Sequence, residues 1–357
     1  MAKFGLLLIN IGTPDAPTVS AVRRYLREFL SDPRVVDIPA PLRWLLLEGV
    51  ILPTRPRTSA EAYRKVWTAA GSPLLANSQA LANALRSSLG SDWQVEVGMR
   101  YGQPDLAQAL QALAAANVER LVVFPLYPQY SSSATGSGLE KVFDVLGARE
   151  DVPALSVVPP FFNQPGFVDA WHQVAEPFVR EHRPEHVLFS FHGLPERQVQ
   201  KTDSSRQHCL RVEGCCERPN VEADHFCYRR QAFRIAGAIA GRLSLDPKLW
   251  SVSFQSRLGR TPWLKPFTDE RLPQLARSGV RRVLVVCPSF VADCLETLEE
   301  MGIRGQALFK QAGGEALVLV PSLNANVGWV SFVTQMARAF SGPPSAEVVR
   351  ASDHPNA

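Results

Sequence analysis

Short runs of Val, Ile, Leu and Phe alternate along this chain with longer stretches in which apolar residues recur every three or four positions. The short runs are uniformly apolar, which is how a strand reads when helices cover both faces of its sheet. Strands are therefore expected at residues 5–10, 94–99, 120–126, 154–158, 186–191, 249–254, 282–287 and 317–320. Four precede the Pro159-Pro160 break and four follow it, with helical patterns between them, so the expected class is α/β with parallel βα units.

The two sets resemble each other. Leu8-Ile9-Asn10-Ile11-Gly12-Thr13-Pro14 parallels Phe189-Ser190-Phe191-His192-Gly193-Leu194-Pro195, and 118–125 parallels 280–288 with one extra residue, which implies a duplicated unit. Open parallel sheets bind ligands beyond the carboxyl ends of their strands, so two facing units would enclose a cleft lined by these Gly/Pro-terminated ends. Segments 163–167 and 321–326 read as crossovers between units. Val327, Val330, Val333, Met336, Ala337 and Phe340 read as a helix face packing back on a sheet, and the Pro, Ser and charge from Gly342 onward as a frayed tail. The expected domains are 1–160 and 161–325, followed by the packing helix at 326–341 and the tail at 342–357.

A length of 357 residues suffices for two domains with full cores, and 46% apolar against 20% charged residues is a globular balance that excludes general disorder. The 38 basic and 34 acidic residues leave +4 with no run of five like charges, which gives nucleic acid no electrostatic footing. No apolar stretch reaches the length of a membrane span, and Met1-Ala2-Lys3 runs directly into a strand-like segment with no leader pattern, so the expected location is cytoplasmic. Four of the six cysteines, Cys209, Cys215, Cys216 and Cys227, fall within 19 residues; in a cytosolic chain such clustering favours metal over disulfides.

Several residues carry candidate chemistry. His192 ends a strand, where Gly193 and Pro195 turn the chain and leave an imidazole at the cleft as a base, a metal ligand or a satisfied structural group. In the companion segment, Asp293, Glu296 and Glu300 stand at i, i+3 and i+7, which puts three carboxylates on one face of an expected helix: a solvated stripe, or a path for a cation or protons. Residues 39–53 hold Leu42, Trp44, Leu45, Leu46, Leu47, Val50, Ile51 and Leu52, and read either as a membrane-leaning lip or as a buried core helix. Arg55, Arg57, Tyr63 and Ser72 follow as possible carboxylate contacts or an ordinary polar surface, and the hydroxyl-rich loop 129–137, with Tyr130, as a cradle or a plain turn. No Walker loop and no Gly-x-Gly-x-x-Gly fingerprint follows a strand, so no nucleotide is expected.

Six segments taken in order resemble the ferrochelatase family: the LLINIGTPDAP run from Leu7, Gly71-Ser72-Pro73-Leu74, Leu126 to Ser131, Ser190 to Pro195, Phe254 to Arg257 with Thr261-Pro262-Trp263-Leu264, and Ala292 to Leu298. The resemblance spans about Leu6 to Phe340. It implies two Rossmann-like domains of four-stranded parallel sheet (the class II chelatase fold) with a porphyrin in the cleft, and a lyase reaction that inserts Fe2+, releases two protons and consumes no nucleotide. Residue by residue, it implies that His192 and Glu296 handle protons and the Fe2+ substrate, with Asp293 and Glu300 on the acidic path beside them. Trp263 and Phe290 match pocket walls, Arg57, Tyr63 and Ser72 match propionate contacts, and Arg100-Tyr101 matches a cleft pair.

The departures from the family are informative. Cys294 stands where many relatives carry a second histidine, and it reads best as a small buried residue. Ile11 lies over the macrocycle where the branch acting on coproporphyrin III has tyrosine, which points to protoporphyrin IX as substrate; coproporphyrin III, or a haem carrier without chemistry, is the alternative. No cysteine follows Cys294, so the C-terminal cluster motif of animal relatives is missing. The insertion at about 205–228 instead resembles that of bacterial members whose internal cysteines hold a 2Fe-2S cluster, with Cys209, Cys215, Cys216 and Cys227 as ligands. Zinc on the same thiolates is the rival, and His208 or His225 could replace one of them. Peripheral association with the inner face of the membrane is expected from the apolar lip.

Overall fold

The apolar runs form β1 Phe4–Thr13, β2 Trp93–Gly102, β3 Arg120–Pro125, β4 Ala154–Val157, β5 His186–His192, β6 Trp250–Gln255, β7 Arg282–Val286 and β8 Ala316–Leu319. In this computed structural model, which describes residues 3–218, 225–259 and 261–342, they assemble into two parallel sheets of order β2-β1-β3-β4 and β6-β5-β7-β8. The sequence duplication is thus a duplication of topology, with β1 standing for β5 and β3 for β7. Both sheets change direction beside their first strand, so the crevice of each opens at the carboxyl ends of β1 and β3 and of β5 and β7. Residues 219–224 of the cysteine insertion and the expected tail beyond Gly342 lie outside the described residues.

β1 and β2 run three residues past their apolar patterns, because Gly12 pairs with Tyr101 and Thr13 with Gly102. Gly12 has φ +114°, and a Cβ there would sit 1.8 Å from the Tyr101 carbonyl oxygen, so glycine is what lets the two strands stay paired out to the cleft.

Alternation along each strand builds the layers. Leu6 and Leu8 of β1 face one way, into a core continuous with Phe189 and Phe254 of the second sheet through Phe167, Trp171, Trp329 and Phe332. Leu7 and Ile9 face the other way, onto Leu110 and Leu113 of the helix Leu106–Ala115. Between the sheets lie the crossover helix Pro165–His182 and the last helix Val327–Phe340. The last helix packs Trp329 against Phe124 of β3 and Phe161, and its Thr334 hydroxyl donates to Ser88 Oγ at 2.9 Å, so the chain's end helps cover the first sheet.

Candidate active site

His192 closes β5. Its Nδ1 lies 2.6 Å from the Gly193 carbonyl, a contact that needs a proton on Nδ1 and therefore leaves the lone pair on Nε2. The backbone behind the ring is fixed: Gly193 N donates to Gln255 O at 2.7 Å, and His192 N to Ser289 Oγ at 3.2 Å. Phe290 flanks the imidazole at 6.2 Å between centroids, and a Cβ on Gly193 would meet Gln255 O at 2.8 Å and the Trp263 ring at 3.3 Å. The Trp263 indole is anchored in turn by its Nε1 donating to Leu258 O at 2.8 Å.

The acidic residues divide. Helical structure starts at Leu295, and from Glu296 to Gly305 it winds in wide π-type turns, a geometry associated with functional sites. Asp293 therefore precedes the helix and does not share a face with Glu296 and Glu300, which corrects the sequence expectation. Its carboxylate accepts Ser322 N at 3.0 Å, Asn324 Nδ2 at 2.8 Å and Thr297 Oγ1 at 3.3 Å, tying three segments together rather than facing the cleft. Glu300 is half-buried and accepts Ser256 N at 2.9 Å and Ser256 Oγ at 2.5 Å. Ser256 is bent to φ +65° to deliver both donors, strain of the kind that collects at functional sites. Burial raises the Glu300 carboxyl above its ordinary range against the lowering pull of Ser256 and Arg304; Glu296 adds to the rise and His192 opposes it. Both Glu296 and His192 thus lie within electrostatic reach of Glu300. Glu296 also bonds the buried Cys294 thiol and faces Tyr63, and burial together with that carboxylate raises both groups well above their usual values.

The opposite wall comes from the first domain. Ile11 and Phe290 pack on one small apolar cluster of Leu74, Ala292 and Cys294, so the floor of the cleft is built from both halves. Tyr63 bonds Thr13, whose hydroxyl donates to Ser72 Oγ at 2.7 Å. Ser72 is buried and committed to Thr13, so it is a brace for the end of β1 rather than an open carboxylate contact. Arg57 is exposed on the helix Leu52–Val66.

Arg100 and Tyr101 also depart from the expectation of ligand contact. Arg100 Nη2 pairs with Asp32 at 2.8 Å, and the fully buried Tyr101 hydroxyl donates to the same carboxylate at 2.7 Å, which Ser137 Oγ completes at 2.5 Å. These bonds and Arg100 overcome the penalty of burial and hold Asp32 below the usual carboxylate range. Sequence reasoning passed over Asp32, since its partners are 68 to 105 positions away. The Tyr130 ring meets Phe226 at a tilt, with centroids 4.6 Å apart, in a crevice of about 300 Å3 shared with Arg34, Asp37, Gln198 and Lys201.

The segment 39–53 is not a buried helix. The helix Ala40–Leu46 and the turn Leu47–Ile51 bury Leu47 in the core beside Leu30 and Leu52, with Ile51 packed half-buried against them, while Leu42 (57%), Trp44 (65%), Leu45 (59%) and Val50 (57%) stand in solvent. No helix among the described residues is long and apolar enough to cross a membrane.

In the cysteine insertion Cys209, Cys215 and Cys227 are buried and Cys216 is half-buried. Hydrogen bonding to Cys209, then burial, push the Cys227 thiol up to about 12, and Cys227 also bonds Cys216. Leu210 N donates to Cys215 Sγ at 3.4 Å and Arg229 Nη1 to Cys216 Sγ at 3.1 Å. The buried Asp203 carboxylate gathers the loop by accepting His208 N and Cys209 N at 3.0 and 2.8 Å. His208 Nε2 is engaged with the Cys215 carbonyl at 2.9 Å. Among the described residues no group of three or more His, Cys, Asp or Glu side chains stands as a ready ion site.

Comparison with known proteins adds to this geometry. Residues 3–340 match the family model described as Ferrochelatase. A protein named Ferrochelatase from Azotobacter vinelandii is 47% identical over 95% of this chain and 99% of its own length, and one from Coxiella burnetii is 45% identical over 94% and 93%. Among solved structures, the sirohydrochlorin chelatase SirB from Bacillus subtilis subspecies spizizenii covers 97% of this chain and 98% of its own with a TM-score of 0.54; at 11% identity that likeness is one of fold.

The altered position of Asp293 has a measurable consequence. Asp293→Ala leaves Ser322 N and Asn324 Nδ2 without their acceptor, while Thr297 Oγ1 keeps the Cys294 carbonyl at 3.2 Å, at a cost of roughly 3 kcal/mol. A urea denaturation midpoint lowered at unchanged slope is the expected outcome, with Asp293→Asn retaining most of the stability; an unchanged midpoint in the alanine variant would remove the bracing role.

Proposed function

This chain belongs to the ferrochelatase family, and on that premise we propose that it inserts Fe2+ into protoporphyrin IX to give protohaem, the last step of haem synthesis. Relatives 42 to 47% identical over nearly the whole chain carry the activity itself, a lyase reaction in which Fe2+ is substrate. The observation that carries the site assignment is the Nδ1 contact of His192, which in the neutral ring leaves Nε2 as the basic nitrogen of an imidazole within electrostatic reach of the half-buried Glu300. Two pyrrole N–H bonds break, the two protons leave, and the ion exchanges water for bonds to all four ring nitrogens. His192 Nε2 accepts a pyrrole proton, and the Glu296 carboxylate replaces water around the incoming ion. Glu300, whose affinity for protons burial has raised, takes the proton onward while Ser256 holds its oxygens in place.

Ile11, Phe290 and Trp263 supply flat apolar walls, and Ile11 brings no polar group over the macrocycle. That favours the dicarboxylic protoporphyrin IX over the more heavily charged coproporphyrin III. The exposed Leu42, Trp44, Leu45 and Val50 fit a surface that rests on the lipid headgroup boundary from the cytoplasmic side, where an apolar porphyrin is exchanged.

Cys209, Cys215, Cys216 and Cys227 fit a 2Fe-2S cluster in kind and number: four thiols, of which Cys215 and Cys216 receive N–H donors of the sort that stabilise thiolate sulfur. Bound, such a cluster supplies a cross-link for a loop with little apolar area of its own. The adjacent pair Cys215-Cys216, which would supply two of the four ligands, follows a backbone bent left-handed at Leu210 and Gly214.

Three outcomes test these readings. His192→Ala should lower Zn2+ or Fe2+ insertion about a thousandfold while porphyrin affinity stays within a few-fold, measured side by side by fluorescence titration and anaerobic turnover; activity within tenfold of the parent would overturn the assignment. Replacing Leu42, Trp44 and Leu45 with serine, and leaving the buried Leu47 in place, should weaken co-sedimentation with liposomes about tenfold or more at unchanged circular dichroism, and unchanged partitioning would reject the lip. Protein purified without oxygen should be red-brown with two irons and two acid-labile sulfides per chain. Each of the four Cys→Ser changes in the insertion should bleach it, whereas Cys287→Ser should not; zinc or no metal on elemental analysis would reject the cluster.

A further inference from the structure

β5 outruns its partner. Pairing between β5 and β7 ends at Phe189 with Val286, yet β5 continues through Ser190 and Phe191 to His192. On the β6 side the ladder persists to His192 and Gln255, but on the β7 side the last three residues have no strand to bond. Two side chains take its place. Ser289, in the loop after β7, accepts His192 N at 3.2 Å, and the Tyr228 hydroxyl donates to the His192 carbonyl at 2.8 Å and also bonds Ser289. The carbonyl that Tyr228 holds heads the peptide to Gly193, and it is the Gly193 carbonyl that orients the imidazole.

We propose that Tyr228 is a positioning residue for metal insertion: its hydroxyl, held on a rigid helix, fixes the His192–Gly193 peptide and so the strand end from which the next carbonyl, that of Gly193, aims the His192 imidazole. Tyr228 is itself buried and is the first residue of the helix Tyr228–Arg242, whose Ala232, Ile235, Ala236 and Ile239 lie in the core, so the oxygen has little freedom to follow a moving strand end. The other half of the molecule has a related tie where no imidazole is present: Tyr25, from the helix after β1, donates at 3.1 Å to the carbonyl of Gly12, which matches Gly193 and so lies one residue beyond the carbonyl that Tyr228 holds. The role rests on the His192 reading above, and it is specific in one respect. Tyr228 acts through the ring of His192, so the effect of removing its hydroxyl should vanish once that ring is gone.

The test is a pair of double-mutant comparisons in the full-length protein, with Zn2+ insertion into protoporphyrin IX followed by fluorescence. Tyr228→Phe keeps the ring and its packing and removes one donor. It should lower kcat about tenfold to thirtyfold, the scale expected when a catalytic group is slightly misaimed, with KM for porphyrin within twofold and thermal midpoint and metal content unchanged. In a His192→Ala background the same change should alter the residual rate by less than twofold. In a Ser289→Ala background its effect should be smaller than in the parent, because the two side chains brace the backbone of one residue, His192, from its N–H and its carbonyl and bond each other. An unchanged kcat, a loss appearing chiefly in KM, or the same fold-loss with and without the His192 ring would each overturn the proposal. If His192→Ala itself fails to lower the rate, the histidine assignment fails first, so the two failures are told apart.

Discussion

A parallel strand is held by its neighbours only as far as they run beside it, and each of its ends leaves backbone donors and acceptors to be satisfied by something else. Both halves of this molecule place their chemistry at such ends. At β1, Asn10 Nδ2 bonds Ser78 Oγ at 3.2 Å, Thr13 bonds Ser72, and Tyr25 caps Gly12. At β5, Ser289, Gln255 and Tyr228 do the corresponding work. Ser72, Arg100 and Tyr101, which resemble ligand-contacting positions by sequence, are drawn into this bracing because the cleft needs rigid rims before it can hold a flat ligand.

Polar ties also bridge the two halves. Asp37, ahead of the apolar lip, accepts Lys201 at 2.7 Å and Arg197 from the helix that follows His192. The almost fully buried Glu299 accepts Lys65 of the first half at 3.1 Å and Arg304 of the second at 2.7 Å. The cations are substantially exposed, so each pair contributes modestly. Their value lies in direction, since they hold the helices bearing Tyr63 and Glu296 in register without filling the space between them.

The sheets were legible in the sequence because strands covered on both faces cannot hide their apolar runs, and because the motif around Ile11 repeats around His192. The repeated motif and its companion singled out His192 and Glu296 as candidates, and the fold brings both within electrostatic reach of Glu300. Asp293 was misread because helical spacing was extended back over a segment that does not become helical until Leu295. Leu47 and Leu52 were grouped with their exposed neighbours because a run this apolar carries no periodicity from which to tell the inward residues. Asp32, Tyr228 and the strained Ser256 escaped altogether. Their roles are set by partners 105, 36 and 44 positions away, and a lone Asp, Tyr or Ser gives no local sign of such a bond.

The path of the last helix bears on the order of events during synthesis. Arg120, which opens β3, donates to the carbonyl of Ser341 at 3.0 Å across a separation of 221 positions, and Trp329 and Phe332 pack on Phe161 beside that strand. A nascent chain that has emerged as far as β4 thus carries a complete first sheet with part of one apolar face uncovered, and no residue yet made can close it. The first half therefore waits on the second, and for most of translation it is a surface that a chaperone would recognise.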